Sequence, residues 1–468
     1  MENRAQLQKQ LKTRHVTMIT IGGIIGAGIF IGSGAVIHAT GPAAILSYLL
    51  AGLLAMFVAR MLGEMATANP NAGSFAEHVR SALGNWGGFA TGWLYWYFWV
   101  IAIAAEAVGA ASILNYWYPD IPVWVMSLGL IILLTVTNIF SVKSFGEIEF
   151  WFASIKVAAI ISFLLLGTAY ILGFWPDKDL SFANLTMHGG FAPHGIASIF
   201  QGIVPVMFAV IGTEIVTITA AESENPREAI GKAIKSVIWR IMLFYVGSIF
   251  IIICILPWNS EVIGSPYVSV LNILNIPFAD QIMNVIVLTA LLSALNSGLY
   301  ISSRMMFGLA KRGDAPRIFL KLNKNGSPIN SILFATVIGY LAVIAAYYSP
   351  DLVFRFLVNS SGSVVLFVYL LISISQLRNR ARLEREQPEL LQAKMWAYPY
   401  LTYFTIFSIL AVLGLMAMSP EMLSQFITSL VSLAVVLIMY GIRRWRYPEV
   451  RPENVDQDFN AIKKFNIK

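Results

Sequence analysis

The sequence predicts an all-α polytopic membrane protein. Three observations carry that reading: apolar runs about twenty residues long, half the charge of a soluble protein, and basic residues gathered on alternate connections. Of the 468 residues, 57% are hydrophobic and 12% charged, whereas soluble domains hold roughly 45–50% apolar and about 25% charged residues. That balance excludes a water-covered cytosolic enzyme. Against the ~20 residues a helix needs to cross a bilayer, about twelve spans fall near 16–37, 42–63, 86–114, 122–141, 150–174, 196–219, 235–256, 279–303, 329–348, 353–375, 398–418 and 423–442. No connection between them is long enough to fold as a soluble domain. The expected division is a tail at 1–15, a transmembrane unit at 16–443 and a second tail at 444–468.

Each span has its own punctuation. The first follows Arg4, Lys9, Lys12 and Arg14, but it has full spanning length and no small-residue cleavage site, so it reads as a retained helix rather than a secretory signal. Gly41-Pro42 opens the second and Asn69-Pro70 closes it. The third carries the aromatic stretch 93–99 ahead of Glu106. Pro119 and Pro122 bound the start of the fourth, and the fifth ends before Pro176. The sixth ends before Pro226 and the seventh at Pro257. Pro316 and Pro328 lie between the eighth and ninth, while Pro350, Pro388 and Pro420 separate the last four.

Lysine and arginine set the expected orientation, because cytoplasmic loops gather them. If the chain starts inside, thirty of the 32 lie on the inner side and only Lys178 and Arg355 on the outer. Both termini are therefore expected in the cytoplasm. The net charge of +7 becomes a topology signal and a contact for the anionic face of a lipid bilayer, with no nucleic-acid footprint.

Several chemistries are excluded by what the chain lacks. One cysteine, Cys254, rules out a disulfide framework and a multi-cysteine metal site. His15, His38, His78, His188 and His194 form no HExxH, and there is no GxSxG. No cofactor or metal is implied, and an enzyme embedded in the membrane is not expected. A channel or receptor would want a continuous polar pore lining or a large external domain; neither is visible. Nothing in the sequence sets an oligomeric state.

The first span is broken in its middle. Residues 21–32 hold Gly22, Gly23, Gly26, Gly28 and Gly32, each about 1 kcal/mol less favourable than Ala in a helix. Two readings compete. Gly22/Gly26 and Gly28/Gly32 are GxxxG pairs suited to close helix packing. Alternatively the helix is discontinuous, and backbone N–H groups freed around Ile25, Gly26, Ala27 and Gly28 meet a substrate carboxylate. The sixth span offers a matching break, where Phe208 precedes Gly212, Thr213 and Glu214 in an otherwise apolar run. Breaks five spans apart fit an inverted repeat, spans 1–5 against 6–10, with two extra helices.

Ionisable residues within spans are expensive, ~2.5–3.5 kcal/mol each at the helix centre. Glu106 lies deep in span three with no basic residue in the same span; it reads as a helix–helix hydrogen bond or as a cavity carboxylate that meets a substrate ammonium or shares its proton. Lys156 follows Glu147 and Glu149 on span five, and seven residues of helix raise it about 10 Å above Glu149. It either snorkels to the interface or takes part in proton transfer. Glu214 reads as support for an unwound helix and as a second candidate for the proton. Glu222 can pair with Arg227 as a gate or structural ion pair. Ser293, Asn296 and Ser297 on span eight line the path or join helices.

These residues also carry a resemblance. The run 11–19 (LKTRHVTMI), the Gly26-Ala27-Gly28 break, Gly41-Pro42, Gly63-Glu64-Met65, Pro70 with Gly73-Ser74-Phe75, and 221–226 (AESENP) resemble the amino-acid permeases of the amino acid–polyamine–organocation superfamily, collinearly from about residue 11 to 445. Within that group, 93–100 (WLYWYFWV), 141–147 (SVKSFGE), 312–316 (RGDAP) and 376–378 (QLR) are most similar to bacterial γ-aminobutyrate permeases. The resemblance implies a fold with five-plus-five inverted repeats, broken helices 1 and 6 and two extra helices. It also implies secondary active import across a bacterial plasma membrane, driven by protons. It gives Lys156 the place of the coupled proton, against the unwound first helix, and gives Phe208 the place of an aromatic that closes over substrate. Carriers or exchangers of small neutral, aromatic or basic amino acids, or of polyamines, share most of these motifs.

Overall fold

A computed structural model of the chain describes Arg14, Met18 and residues 25–446, except 71, 73, 141, 177–181, 213, 221–227, 229 and 233–238. Its regular elements are all helical among the described residues. Within the first span lie α1 (Ala27–Phe30) and α2 (Gly32–Thr40), and a 3-10 turn at Gly41–Ala43 leads into α3 (Ala44–Ala68). The short amphipathic α4 (Phe75–Leu83) precedes α5 (Asn85–Asn115), α6 (Val123–Phe140) and α7 (Val142–Ile171). The sixth span is α8 (Ile196–Val210) followed by α9 (Ile215–Ala220), and the seventh is a π-helical α10 (Arg240–Gly247) continued by α11 (Ser248–Ile255). After α12 (Pro266–Ile273) come α13 (Ala279–Lys311), α14 (Ile329–Ala346), α15 (Pro350–Glu386), α16 (Tyr400–Met418) and α17 (Pro420–Arg446). Nine helices among the described residues are long and apolar enough to cross a membrane, with Ile196–Val210 and Arg240–Ile255 as shorter apolar ones.

The centre is α5, packed along α13 and α15. Its residues Ala102, Ala104, Ala105, Ala107, Ala110 and Ala111 are all buried, and such small side chains let helix backbones approach where lipid supplies no hydrophobic drive between helices. The outer helices show the opposite pattern. Ile132, Leu133 and Val136 on α6, Phe404 and Phe407 on α16, and Val431 and Ile438 on α17 are apolar and exposed, as surfaces facing hydrocarbon must be.

Helix ends depart from the hydropathy boundaries. The fifth helix starts at Val142 rather than near 150, so Glu149 lies inside it. The tenth continues to Glu386, past 375, with Arg380 paired to Glu384 at 2.7 Å one turn on. The last runs to Arg446, three residues into the expected tail, with Arg443, Arg444 and Arg446 in its final turn. Hydropathy falls where charge begins, but basic residues complement the negative end of a helix dipole and sustain the helix.

Two buried carboxylates tie these ends together. Glu64, 1% exposed, accepts from Gln376 at 2.8 Å, Arg380 at 2.6 Å and the Met395 N–H at 2.6 Å. It thereby joins α3, α15 and the connection before α16. Asp314 is bound by Arg80 of α4 and, at 3.0 Å, by Arg443 of α17. Removing one partner of a buried pair strands the other charge. Arg380→Ala is therefore expected to lower stability by about 3–5 kcal/mol, read as a lower melting temperature in detergent. Glu64→Gln combined with Arg380→Met should recover most of the loss, and an unshifted melt for Arg380→Ala would show that the pair carries no such weight.

Candidate substrate and ion site

At the first break Gly26 lies outside the helical region (φ −140°, ψ −146°), and α1 begins at Ala27. Two ionisable side chains take up the freed groups. The Ala27 N–H donates to both oxygens of Glu106, at 3.2 and 3.1 Å. The Ile25 carbonyl accepts from Lys156 Nζ at 3.2 Å. Ile25, Ala27 and Lys156 are 0% exposed and Glu106 is 5% exposed, so the amine does not snorkel. Lys156 also donates to Ser293 Oγ at 2.8 Å, and Ser293 in turn donates to Glu149 Oε1.

The glycines serve different ends. A Cβ on Gly26 would stand 2.5 Å from Glu106 Oε1 and 2.9 Å from the Ala294 methyl, so glycine there makes room for the carboxylate. A Cβ on Gly28 would lie 2.6 Å from the Ala209 Cα, so glycine there lets α1 touch the backbone of α8. Gly26 thus serves the break and Gly28 serves close packing, though against α8 rather than through a GxxxG pair with Gly32, where a Cβ would have room.

The second break has the same construction. The helix α8 ends at Val210, Ile211 is extended (ψ 158°), and Gly212 adopts φ +111°, a region open mainly to glycine. The Gly212 N–H donates to Glu214 Oε1 at 3.1 Å, and Tyr369 donates to Oε2 at 3.4 Å. Phe208, 6% exposed, faces Phe98 with ring centroids 6.2 Å apart. Thr213, Glu222 and Arg227 lie outside the described residues.

An "Amino acid permease" family model matches residues 15–455. The chain belongs to the amino acid permease family. This permease is 54% identical over 447 residues to the "Gamma-aminobutyric acid permease" of Bacillus subtilis, with 95% of each chain covered. It is 45% identical to the protein of the same name from Escherichia coli, covering 93% of this chain and 94% of the other. A crystal structure of the Eremococcus coleocola manganese transporter shares the fold, with a TM-score of 0.57 at 14% identity over 94% of this chain and 97% of that one. The permease is thus a multi-span helical transporter and not an enzyme.

In this permease the structure brings Ile25, Gly26, Ala27, Glu106 and Lys156 together around one break, and Gly212 with Glu214 at the other. Gly28 and the α8 segment that carries Phe208 join the two. Sequence reasoning passed over Glu149 and Tyr369. Glu149 was legible from its spacing, since residues seven apart share a helix face and Lys156 lies seven positions on. Tyr369 carried no comparable signal. The geometry at the glycines makes a prediction. Gly26→Leu drives Glu106 off Ala27 and Gly28→Leu drives α1 from α8, so both are expected to insert yet bind labelled substrate at least about tenfold more weakly, a loss of roughly 1.4 kcal/mol or more. Wild-type affinity in purified protein would show that neither contact shapes the site.

Proposed function

We propose that the permease imports γ-aminobutyrate, or an amino acid of similar form, across a bacterial plasma membrane by proton symport, with both termini in the cytoplasm. The observation that carries this reading is the first break, where one backbone carbonyl meets an amine and the next backbone N–H meets a carboxylate. The high identity to two proteins named for γ-aminobutyric acid supports the substrate.

Glu106 rests on the Ala27 N–H, the place the sequence reading assigns to the substrate carboxylate. Binding is then an exchange. The substrate carboxylate takes the N–H groups around Gly26, Ala27 and Gly28, and the released Glu106 turns to the substrate ammonium. Carbonyls of the broken helices, near Gly212 and Thr213, complete the ammonium site. In γ-aminobutyrate three methylenes separate the two charges, which suits a carboxylate held away from the N–H groups. Phe208 closes over the bound zwitterion.

Lys156 couples this to protons. Protonated, its ammonium holds the Ile25 carbonyl; deprotonated, it loses its charge there and relaxes the break, biasing the carrier toward the inward-facing state. Glu214, on the second break, supports the unwound backbone and is the alternative seat for the proton. Glu222 and Arg227 act as a gate or structural pair at the end of the sixth span. Alternating access follows from rocking of the broken helices against the scaffold.

Uptake into proteoliposomes tests the reading. Labelled γ-aminobutyrate and a panel of amino acids are offered under imposed proton or sodium gradients. Accumulation should follow an inward proton gradient and ignore sodium; strict sodium dependence, with no response to a protonophore, would sink the proposal. Arginine does not deprotonate in proteins. Lys156→Arg should therefore lose gradient-driven accumulation at least as severely as Lys156→Ala, while exchange persists. Full accumulation by the arginine variant would move the proton role to Glu106 or Glu214.

A further inference from the structure

Two turns of α7 below Lys156 lies a second buried ionisable group. Glu149 is 0% exposed, and its Oε1 accepts from Ser293, whose hydroxyl accepts from Lys156 Nζ. The amine, the hydroxyl and the carboxylate form an unbroken chain, Nζ to Oγ to Oε1, oriented so that each donor faces the next acceptor. The other oxygen, Oε2, is buried with no hydrogen-bond partner, and so is the hydroxyl of Ser297. Ser297 and Asn296, on α13 like Ser293, face the same carboxylate. Lys156 is the charged group acting on Glu149, and Glu106 from α5 acts in turn on Lys156. Two residues before Glu149, about 3 Å along the helix axis, Glu147 pairs at 2.7 Å with Arg14, both partly exposed. Glu149 thus stands between the buried amine and the solvent-reached end of α7.

A purely structural ion pair explains this poorly. Buried pairs add little net stability even when fully hydrogen-bonded, and a permanently ionised carboxylate requires partners for both oxygens. A carboxyl that gains its proton on Oε1, where Ser293 donates, leaves Oε2 as a neutral carbonyl oxygen that is less costly to bury and can accept from the Ser297 hydroxyl.

We infer that Glu149 is the proton acceptor of Lys156, reached through the Ser293 hydroxyl, and that the coupled proton leaves toward the Glu147 end of α7 by this route. The inference rests on the proton-symport reading above. In the transfer an N–H bond of the Lys156 ammonium breaks as an O–H bond forms on Ser293. The original Ser293 O–H bond breaks as an O–H bond forms on Glu149. An ammonium and a carboxylate become an amine and a carboxylic acid, with no net charge moved out of the site. The neutral amine releases the Ile25 carbonyl, so the same step that stores the proton on Glu149 loosens the first break.

The test uses the full chain in proteoliposomes, with radiolabelled γ-aminobutyrate or whichever amino acid the wild type accumulates. Gradient-driven accumulation and counterflow exchange are measured in the same vesicles. One pH unit supports roughly tenfold accumulation for one proton per substrate. Glu149→Gln and Ser293→Ala should fall to about unity while counterflow persists. Glu149→Asp and Ser293→Thr, which restore the titrating or relaying group, should recover accumulation. Lys156→Arg separates the two levels. If it accumulates fully, the symport reading itself fails at Lys156. If it does not, and Glu149→Gln or Ser293→Ala still accumulates like wild type, the relay alone is overturned. Loss of counterflow together with accumulation in both Glu149→Gln and Ser293→Ala would assign the pair to the scaffold and overturn the relay as well. Should Glu149→Gln fail to insert, the contrast between Ser293→Ala and Ser293→Thr decides.

Discussion

Everything at the centre of this permease follows from one constraint: a helix opened at membrane depth must find partners for the backbone groups it frees. Each unsatisfied N–H or C=O costs several kcal/mol away from water. An ionisable residue at the same depth costs ~2.5–3.5 kcal/mol on insertion scales, and that cost falls when the group is itself hydrogen-bonded. The balance favours bringing charge to the break. Glu106 on Ala27, Lys156 on Ile25 and Glu214 on Gly212 are three instances of this solution. The same constraint explains the glycines, since only a residue without a Cβ lets the Glu106 carboxylate come so near Gly26. The residues proposed to bind substrate are accordingly also the ones that hold the breaks open.

Away from the breaks, the stabilising chemistry is of another kind. The Glu64 and Asp314 networks bind helix ends and connections through side chains drawn from α3, α4, α15 and α17. These clusters supply the frame against which the proposed rocking of the broken helices would work, and they touch neither break. The likeness to a manganese transporter at 14% identity fits this separation. Apolar length and the position of the breaks specify the architecture.

The spans were legible because hydrocarbon thickness imposes a length that few other folds share. Their ends were less so, as α7, α15 and α17 show, because hydropathy reports where charge enters and not where helical hydrogen bonding stops. Both breaks were legible from glycine placement. The partners at the breaks were only half legible: Glu106 and Lys156 stood out as ionisable residues in apolar runs, but their pairing with Ala27 and Ile25 depends on how α5 and α7 cross α1. Glu149 entered the sequence reading only as the point from which the height of Lys156 is counted. Its burial follows from α7 beginning at Val142, a boundary that charged residues conceal. Gly28 carries no mark in sequence to distinguish it from Gly26; only the nearness of Ala209 does.

The seat of Glu106 on Ala27 has a consequence for what the carrier refuses. In the proposed exchange, a simple anion arriving at that N–H would find it already taken by the Glu106 carboxyl. To displace Glu106 it would leave a second negative charge buried beside its own, with nothing gained to offset their repulsion. A zwitterion brings its own cation to receive the evicted carboxylate, so the exchange is neutral in charge throughout. Under the proposed exchange, this one hydrogen bond would act as a filter against chloride, phosphate and plain fatty acids, because the Glu106 carboxyl mimics half the substrate.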